Sequence, residues 1–233
     1  LFDMTEEIVI LDFGSQYTQV IARRIRECKV YSTILPFDTP AKEIAKRAPK
    51  GIILSGGPSS VYSAKAPFPD PGIFKLGVPM LGVCFGIQLF AHFLKGKVER
   101  GQRREYGKGT LNLTDRSCAL FKGLPAKIQV WNSHADKLTK LPDGFQTVAV
   151  TENSGHAAIE HRAKQFFGLQ FHPEVAHTPQ GRQIISNFVY RVCGCGKKWT
   201  MKGYAVQAIE TIREVVGSER VILGLSGGVD SSV

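Results

Sequence analysis

The sequence predicts an α/β fold: an open, mostly parallel sheet with helices on both faces and added antiparallel strands along one side. Three observations predict it. Short apolar runs without polar alternation end repeatedly in Gly/Ser turns, as strands buried on both faces do. Helix-periodic stretches follow those runs, which favours parallel strands joined by right-handed crossovers. After Gly101 the pattern changes to closely spaced strand-like segments separated by turn residues, which is the pattern of antiparallel pairing.

Taken in order, residues 7–12 (EIVILD) form the first buried strand, ending at a Gly-Ser turn. Residues 17–28 place Val20, Ile21 and Ile25 at helical spacing with arginines between them. Residues 29–36 and 51–54 read as the second and third strands, the latter closed by Ser55-Gly56-Gly57-Pro58. A fourth strand at 78–83 runs directly into a helix at 85–94. Strands are then expected at 109–113, 128–131, 147–151, 157–160 and 166–171, and a helix at 180–192 closes the unit. Residues 1–6 are an N-terminal extension to a domain spanning 7–190. Residues 191–203, polar and basic, read as a linker. Residues 204–233 read as the truncated start of a second α/β domain, with a helix at 204–216, a strand at 220–225 and a Gly-rich loop after it.

Composition excludes several classes. With 43% hydrophobic and 21% charged residues, the chain is neither disordered nor fibrous. No charged residue lies between Lys75 and Lys95, but Pro79, Gly82, Gly86, Gln88 and His92 divide that stretch into strand, turn and helix, against a membrane span. The five cysteines (28, 84, 118, 193, 195) show neither a disulfide framework nor zinc spacing, as expected of reduced thiols in a cytoplasmic protein, and no metal site is expected. A net charge of +10 raises the question of nucleic acid. The basic residues form small groups without interleaved aromatics, so a solvated surface or an acidic partner domain explains them better.

The chemistry centres on Gly82-Val83-Cys84-Phe85-Gly86, where a buried strand meets a helix. This is the nucleophile-elbow pattern with cysteine in the serine position. Its flanking glycines relieve the crowding of a tight turn, and the helix N-terminus favours a thiolate. A buried structural cysteine would look similar in isolation. Phe171-His172-Pro173-Glu174 supplies what that alternative lacks. Pro173 biases His172 towards extended backbone, and residues two apart on an extended segment point the same way. Glu174 can then hold one ring nitrogen of His172 while the other faces sulfur, the base and orienter of an acyl-transfer site. For the oxyanion, the backbone N–H of Phe85 and that of Gly57 in the Ser55–Pro58 turn are the candidate donors.

These motifs, with Leu11-Asp12-Phe13-Gly14-Ser15-Gln16-Tyr17-Thr18-Gln19, Trp131-Asn132-Ser133-His134-Ala135-Asp136 and the run from His172 to Thr178, closely resemble a class I glutamine amidotransferase domain. The resemblance implies a Cys84-His172-Glu174 triad that hydrolyses glutamine to glutamate and ammonia. It implies that Gln88, and the backbone of a loop at Ser133 and His134, hold the amino-acid end of the substrate. A satisfied surface histidine is the competing reading of His134.

The last segment, Ser226-Gly227-Gly228-Val229-Asp230-Ser231-Ser232, is not a Walker loop, since no Gly-Lys-Ser/Thr follows. It resembles the PP-loop of ATP pyrophosphatases, whose backbone N–H groups cradle phosphate. Together the two resemblances imply the branch of the amidotransferases that aminates XMP to GMP. They imply no cofactor in the glutaminase domain, ATP and Mg2+ in the truncated domain, and a homodimer of the full-length protein. Two other readings compete: a stand-alone γ-glutamyl thiol hydrolase, against which the PP-loop stub argues, and a basic, non-catalytic binding domain, against which the intact Cys84, His172 and Glu174 argue.

Overall fold

The computed structural model of the chain describes residues 6–224 and 226–228. Its sheet has nine strands: β1 (Glu7–Asp12), β2 (Tyr31–Pro36), β3 (Gly51–Leu54), β4 (Met80–Val83), β5 (Lys97–Leu113), β6 (Lys127–Lys140), β7 (Gln146–Val150), β8 (Ala158–His161) and β9 (Phe166–Leu169). Their spatial order is β2-β1-β3-β4-β9-β8-β7-β5-β6. From β2 to β9 the pairing is parallel; from β9 to β6 it is antiparallel. The mixed sheet is the expected one, with a detail that periodicity does not reveal: β9, the last strand in sequence, sits at the centre beside β4.

Burial on both faces explains why β1, β3 and β4 read as continuous apolar runs. On β1, Ile8 and Ile10 belong to one hydrophobic cluster, and Val9 and Leu11 to the other. The first cluster is completed by α1 (Thr18–Glu27) through Ile21 and Ile25 and by α4 (Gly181–Asn187) through Ile184 and Ile185. The second is completed by α2 (Ala41–Lys46) and by α3 (Phe85–Phe93), whose Phe85, Ile87, Leu89 and Phe90 are wholly buried. Each fully buried Leu, Ile or Phe contributes about 1.5–3 kcal/mol, so the two layers hold the sheet from both sides.

Several expected boundaries move. The strands expected at 109–113 and 128–131 are parts of much longer strands, β5 and β6. Ser133 and His134, expected in a loop, therefore lie within β6, paired with Tyr106 and Glu105. The register slips between Arg100 and Glu105, a bulge that bends β5 opposite this point. The helix expected at 180–192 is α4 followed by a π-helical turn, Phe188–Val192. Within the segment read as a linker, the Trp199 N–H donates to the Lys29 carbonyl at 2.8 Å, and the next helix, α5 (Met201–Val216), starts at the Thr200 cap, three residues before the expected 204. The strand expected at 220–225 is not formed over 221–224, where Val221, Ile222 and Leu223 are exposed and have no neighbouring strand among the described residues. Val229, Asp230, Ser231 and Ser232 lie outside the described residues. Among the described residues, no helix is long and apolar enough to cross a membrane.

Candidate active site

β4 delivers Cys84 to the start of α3 through a strained turn. Cys84 has φ 53° and ψ −100°, a conformation costing a non-glycine residue about 1–3 kcal/mol. The neighbouring structure holds it there: the Cys84 N–H donates to the Leu169 carbonyl at 2.7 Å, extending the β4–β9 ladder by one bond. The flanking glycines are dictated by close approach. A Cβ on Gly82 would lie 2.5 Å from the Gly86 carbonyl, and one on Gly86 would lie 2.4 Å from the Leu54 carbonyl oxygen. The thiol is nearly buried and meets the Ser133 carbonyl oxygen at 3.7 Å.

His172 follows β9 by three residues, and the β4–β9 pairing is what brings it to Cys84. Its Nδ1 lies 2.7 Å from Glu174 Oε1, both side chains being buried. The segment forms bends rather than a strand, yet the spacing of two still joins these side chains. Main-chain contacts that the sequence does not disclose fix the backbone of His172. The His172 N–H donates to the Trp131 carbonyl at 3.0 Å, and Thr178 Oγ1 donates to the His172 carbonyl at 2.7 Å while accepting from the Trp131 N–H at 3.0 Å. Arg24 Nε donates to the Glu174 carbonyl at 3.0 Å, tying α1 to the same turn, and the Tyr17 ring meets the imidazole edge-on at 5.3 Å. Nothing in local periodicity marks Thr178, Arg24 or Tyr17; each acts across a fold the sequence pattern does not pair.

Burial alone would push the His172 imidazole down, but its hydrogen bonds to Cys84 and Glu174 and the charges on both raise it to about 10. A raised histidine stabilises the fold fully below its unfolded value of about 6.5 and loses that contribution as pH rises through about 10. Replacing Glu174 by glutamine removes the negative partner. The alkaline limb of any reaction that needs protonated His172 is expected to move down by about one to three pH units. A pH–rate profile checks this; an unmoved limb would show that Glu174 does not hold the proton.

The turn after β3 lies over this pair. A Cβ on Gly56 would stand 3.2 Å from His172 Cε1 and 3.5 Å from the Cys84 Cβ. The Gly56 carbonyl accepts from Ser55 Oγ at 2.9 Å, and Ser55 Oγ also accepts from the Phe13 N–H. In a trans peptide, this turns the Gly57 N–H away from Ser55. A Cβ on Gly57 would lie 2.6 Å from the Phe13 carbonyl oxygen, so only glycine fits. Phe85 is the first residue of α3, where a helix N–H has no intrahelical acceptor. Cys84, His172, Gly57, Gln88, Ser133 and His134 line one cavity of about 480 Å³. Gln88 is buried there with its Oε1 unpartnered. His134 is no surface histidine: it is buried, with Nδ1 3.1 Å from the Asp136 carbonyl oxygen and Nε2 3.0 Å from Glu105 Oε2. Its side chain serves the β5–β6 pair, and what faces Cys84 is the Ser133 main chain. Ser226, Gly227 and Gly228 are exposed, and among the cavities described none includes them.

Comparison with known proteins identifies the family of the chain. The family model for class-I glutamine amidotransferases matches residues 9–192. The chain is 51% identical over 226 residues to a glutamine-hydrolyzing GMP synthase of Aquifex aeolicus and 53% identical over 228 residues to one of Latilactobacillus sakei. Those matches cover 97% and 98% of the chain but 44% of each relative, so the chain spans less than half their length. Among solved structures, a candidate GMP synthase component of Thermoplasma acidophilum superposes with a TM-score of 0.70 at 28% identity, covering 87% of this chain and 98% of the other. A glutamine amidotransferase of Thermotoga maritima shares the fold, with a TM-score of 0.60 at 21% identity over 91% of this chain and 93% of the other.

Proposed function

The chain belongs to the class I glutamine amidotransferase family, and on that premise we propose that it hydrolyses the side-chain amide of glutamine, with Cys84 as nucleophile, His172 as general acid and base, and Glu174 as its orienting carboxylate. The observation that carries this reading is the buried 2.7 Å His172–Glu174 contact beside a cysteine held at a strained elbow. The Cys84 thiolate attacks the amide carbon; a C–S bond forms and the carbonyl electrons move onto oxygen, where the N–H groups of Gly57 and Phe85 receive them. Collapse of that oxyanion breaks the C–N bond. His172 gives its proton to the departing nitrogen, releasing ammonia and leaving a γ-glutamyl thioester. The neutral imidazole then takes a proton from water, whose attack frees glutamate, breaks the C–S bond and restores the thiolate beside a protonated His172. Gln88, with its unpartnered Oε1, suits the substrate's α-ammonium group, and the Ser133 main chain lines the same wall.

Similarity to GMP synthases over nearly the whole chain supports a narrower role: ammonia made at Cys84 is passed on to aminate XMP to GMP. In that role the loop of residues 226–232 belongs to the site that binds ATP and Mg2+ to activate XMP. The experiment is covalent labelling with a glutamine-derived diazoketone, read by mass spectrometry. One adduct on Cys84, blocked by excess glutamine, is expected; an unmodified Cys84 after prolonged exposure would sink the glutaminase reading.

A further inference from the structure

Asp136 lies on β6, outside the proposed triad, and it is buried (5% exposed). Its two carboxylate oxygens accept hydrogen bonds from Ser60 Oγ and from the Tyr62 hydroxyl. Ser60 and Tyr62 belong to the segment that leaves β3 through Gly56 and Gly57. This segment is therefore fixed at two places. At its start Ser55 Oγ binds the Phe13 N–H and the Gly56 carbonyl; beyond Pro58 the Asp136 carboxylate holds Ser60 and Tyr62. Between those two fixed points stands Gly57, the proposed oxyanion donor.

The base of this attachment is itself constrained. The Asp136 carbonyl meets His134 Nδ1, His134 Nε2 meets Glu105, and Glu105 accepts from Thr151 Oγ1 at 3.0 Å. Burial alone would raise the Glu105 carboxyl, but bonds from His134 and Thr151 hold it below its ordinary value. The row of polar contacts thus runs from the turn over Cys84, across β6 and β5, to the end of β7. Donation to Asp136 also raises the Tyr62 phenol above its ordinary value, as a carboxylate acceptor would. Tyr62 is more than half exposed, so burial of its ring does not account for the contact.

We propose that Asp136, acting through Ser60 and Tyr62, is a positioning residue: it clamps the turn that carries Gly57 so that the Gly57 N–H is aimed at the oxygen of the attacked amide. The inference rests on the glutaminase reading above. A donor in an oxyanion site counts only when it is already aimed before charge develops. A turn released at one end samples other orientations, and its donor is lost in proportion.

The test uses Ser60→Ala/Tyr62→Phe, which removes both donors without touching the buried strand, alongside Asp136→Asn. Three quantities are read: kcat and KM for ammonia release from glutamine, and the rate of Cys84 alkylation by iodoacetamide. Alkylation displaces iodide and forms no oxyanion, so it reports on the nucleophile alone. The double variant is expected to lose roughly ten- to a hundredfold in kcat, with KM and alkylation rate each within about twofold of the parent by the same reasoning. An unchanged kcat, or a fall in kcat matched by slower alkylation or by a higher KM, overturns the proposal. If the parent chain alkylates at Cys84 but releases no ammonia from glutamine, the glutaminase reading fails first and the clamp with it. That outcome is distinct from a loss confined to the variants.

Discussion

Replacing Cys84 by alanine is expected to lower glutamine-dependent ammonia release by about four orders of magnitude or more, the scale seen when a covalent nucleophile is deleted. Folding should barely change, because alanine keeps the Cβ and hence the same backbone strain at φ 53°. A steady-state ammonia assay and a denaturant titration together check both halves. If the narrower role proposed above holds, amination of XMP driven by added ammonium salts, measured on a protein of the relatives' length, is expected to survive the substitution, since only the ammonia source is removed. Loss of both activities would show that Cys84 does more than make ammonia.

A large effect on stability is expected from Gly86→Ala. The new Cβ would lie 2.4 Å from the Leu54 carbonyl oxygen and 3.0 Å from the Leu54 Cβ. The first of these atoms is backbone in the buried strand β3, so relief requires α3 to move off the sheet. Overpacking of this kind costs about 1–3 kcal/mol, with the upper end expected when a main-chain atom must yield. Because α3 begins at the nucleophile and carries Gln88, catalysis should fall as well. Urea unfolding provides the measurement, with Gly155→Ala as the control: a Cβ there meets nothing within 4 Å, and the midpoint should not move. Equal midpoints for the two variants would refute the packing argument.

The parallel half of the sheet is legible in the sequence, and the reason is physical. β1, β3 and β4 are buried on both faces, so the run Ile8–Leu11 and all of β3 and β4 carry no polar side chain and each strand announces itself. The strand expected at 128–131 stops short of the end of β6 because the inward positions beyond Trp131 are Asn132, His134 and Asp136. These buried polar residues break an apolar pattern while keeping its period of two. They are the residues the turn over Cys84 and the β5–β6 pair depend on, so the part of the strand least legible as structure lies closest to the site. β5 is hidden for a related reason: its bulge between Arg100 and Glu105 shifts the alternation midway. Cys84, His172, Glu174 and Gln88 are readable from short motifs, and Cys84, His172 and Gln88 meet in one cavity. Thr178 and Asp136 stand within quoted motifs, but their contacts, like that of Arg24, are not readable in that way, because the partners are set by long-range pairing. The strand expected at 220–225 shows the converse failure: over 221–224 an apolar run finds no pairing strand among the described residues and does not form one.

The central place of β9 has a consequence for the timing of synthesis. Cys84 leaves the ribosome early, attached to β4, but its partners on the far side of β9 are among the last parts of the sheet to be made. β8, β7, β5 and β6 all come before β9 in sequence and reach the parallel half only through it. A nascent chain that has folded only its first four strands thus holds Cys84 without His172, so under the proposed mechanism it cannot consume glutamine until β9 and the residues after it have been made. Closing so distant a pairing is also slow, since chain entropy must be given up before the contact returns anything. Under that mechanism hydrolysis is expected to begin only when the sheet is complete, and the first ammonia released would report the insertion of β9.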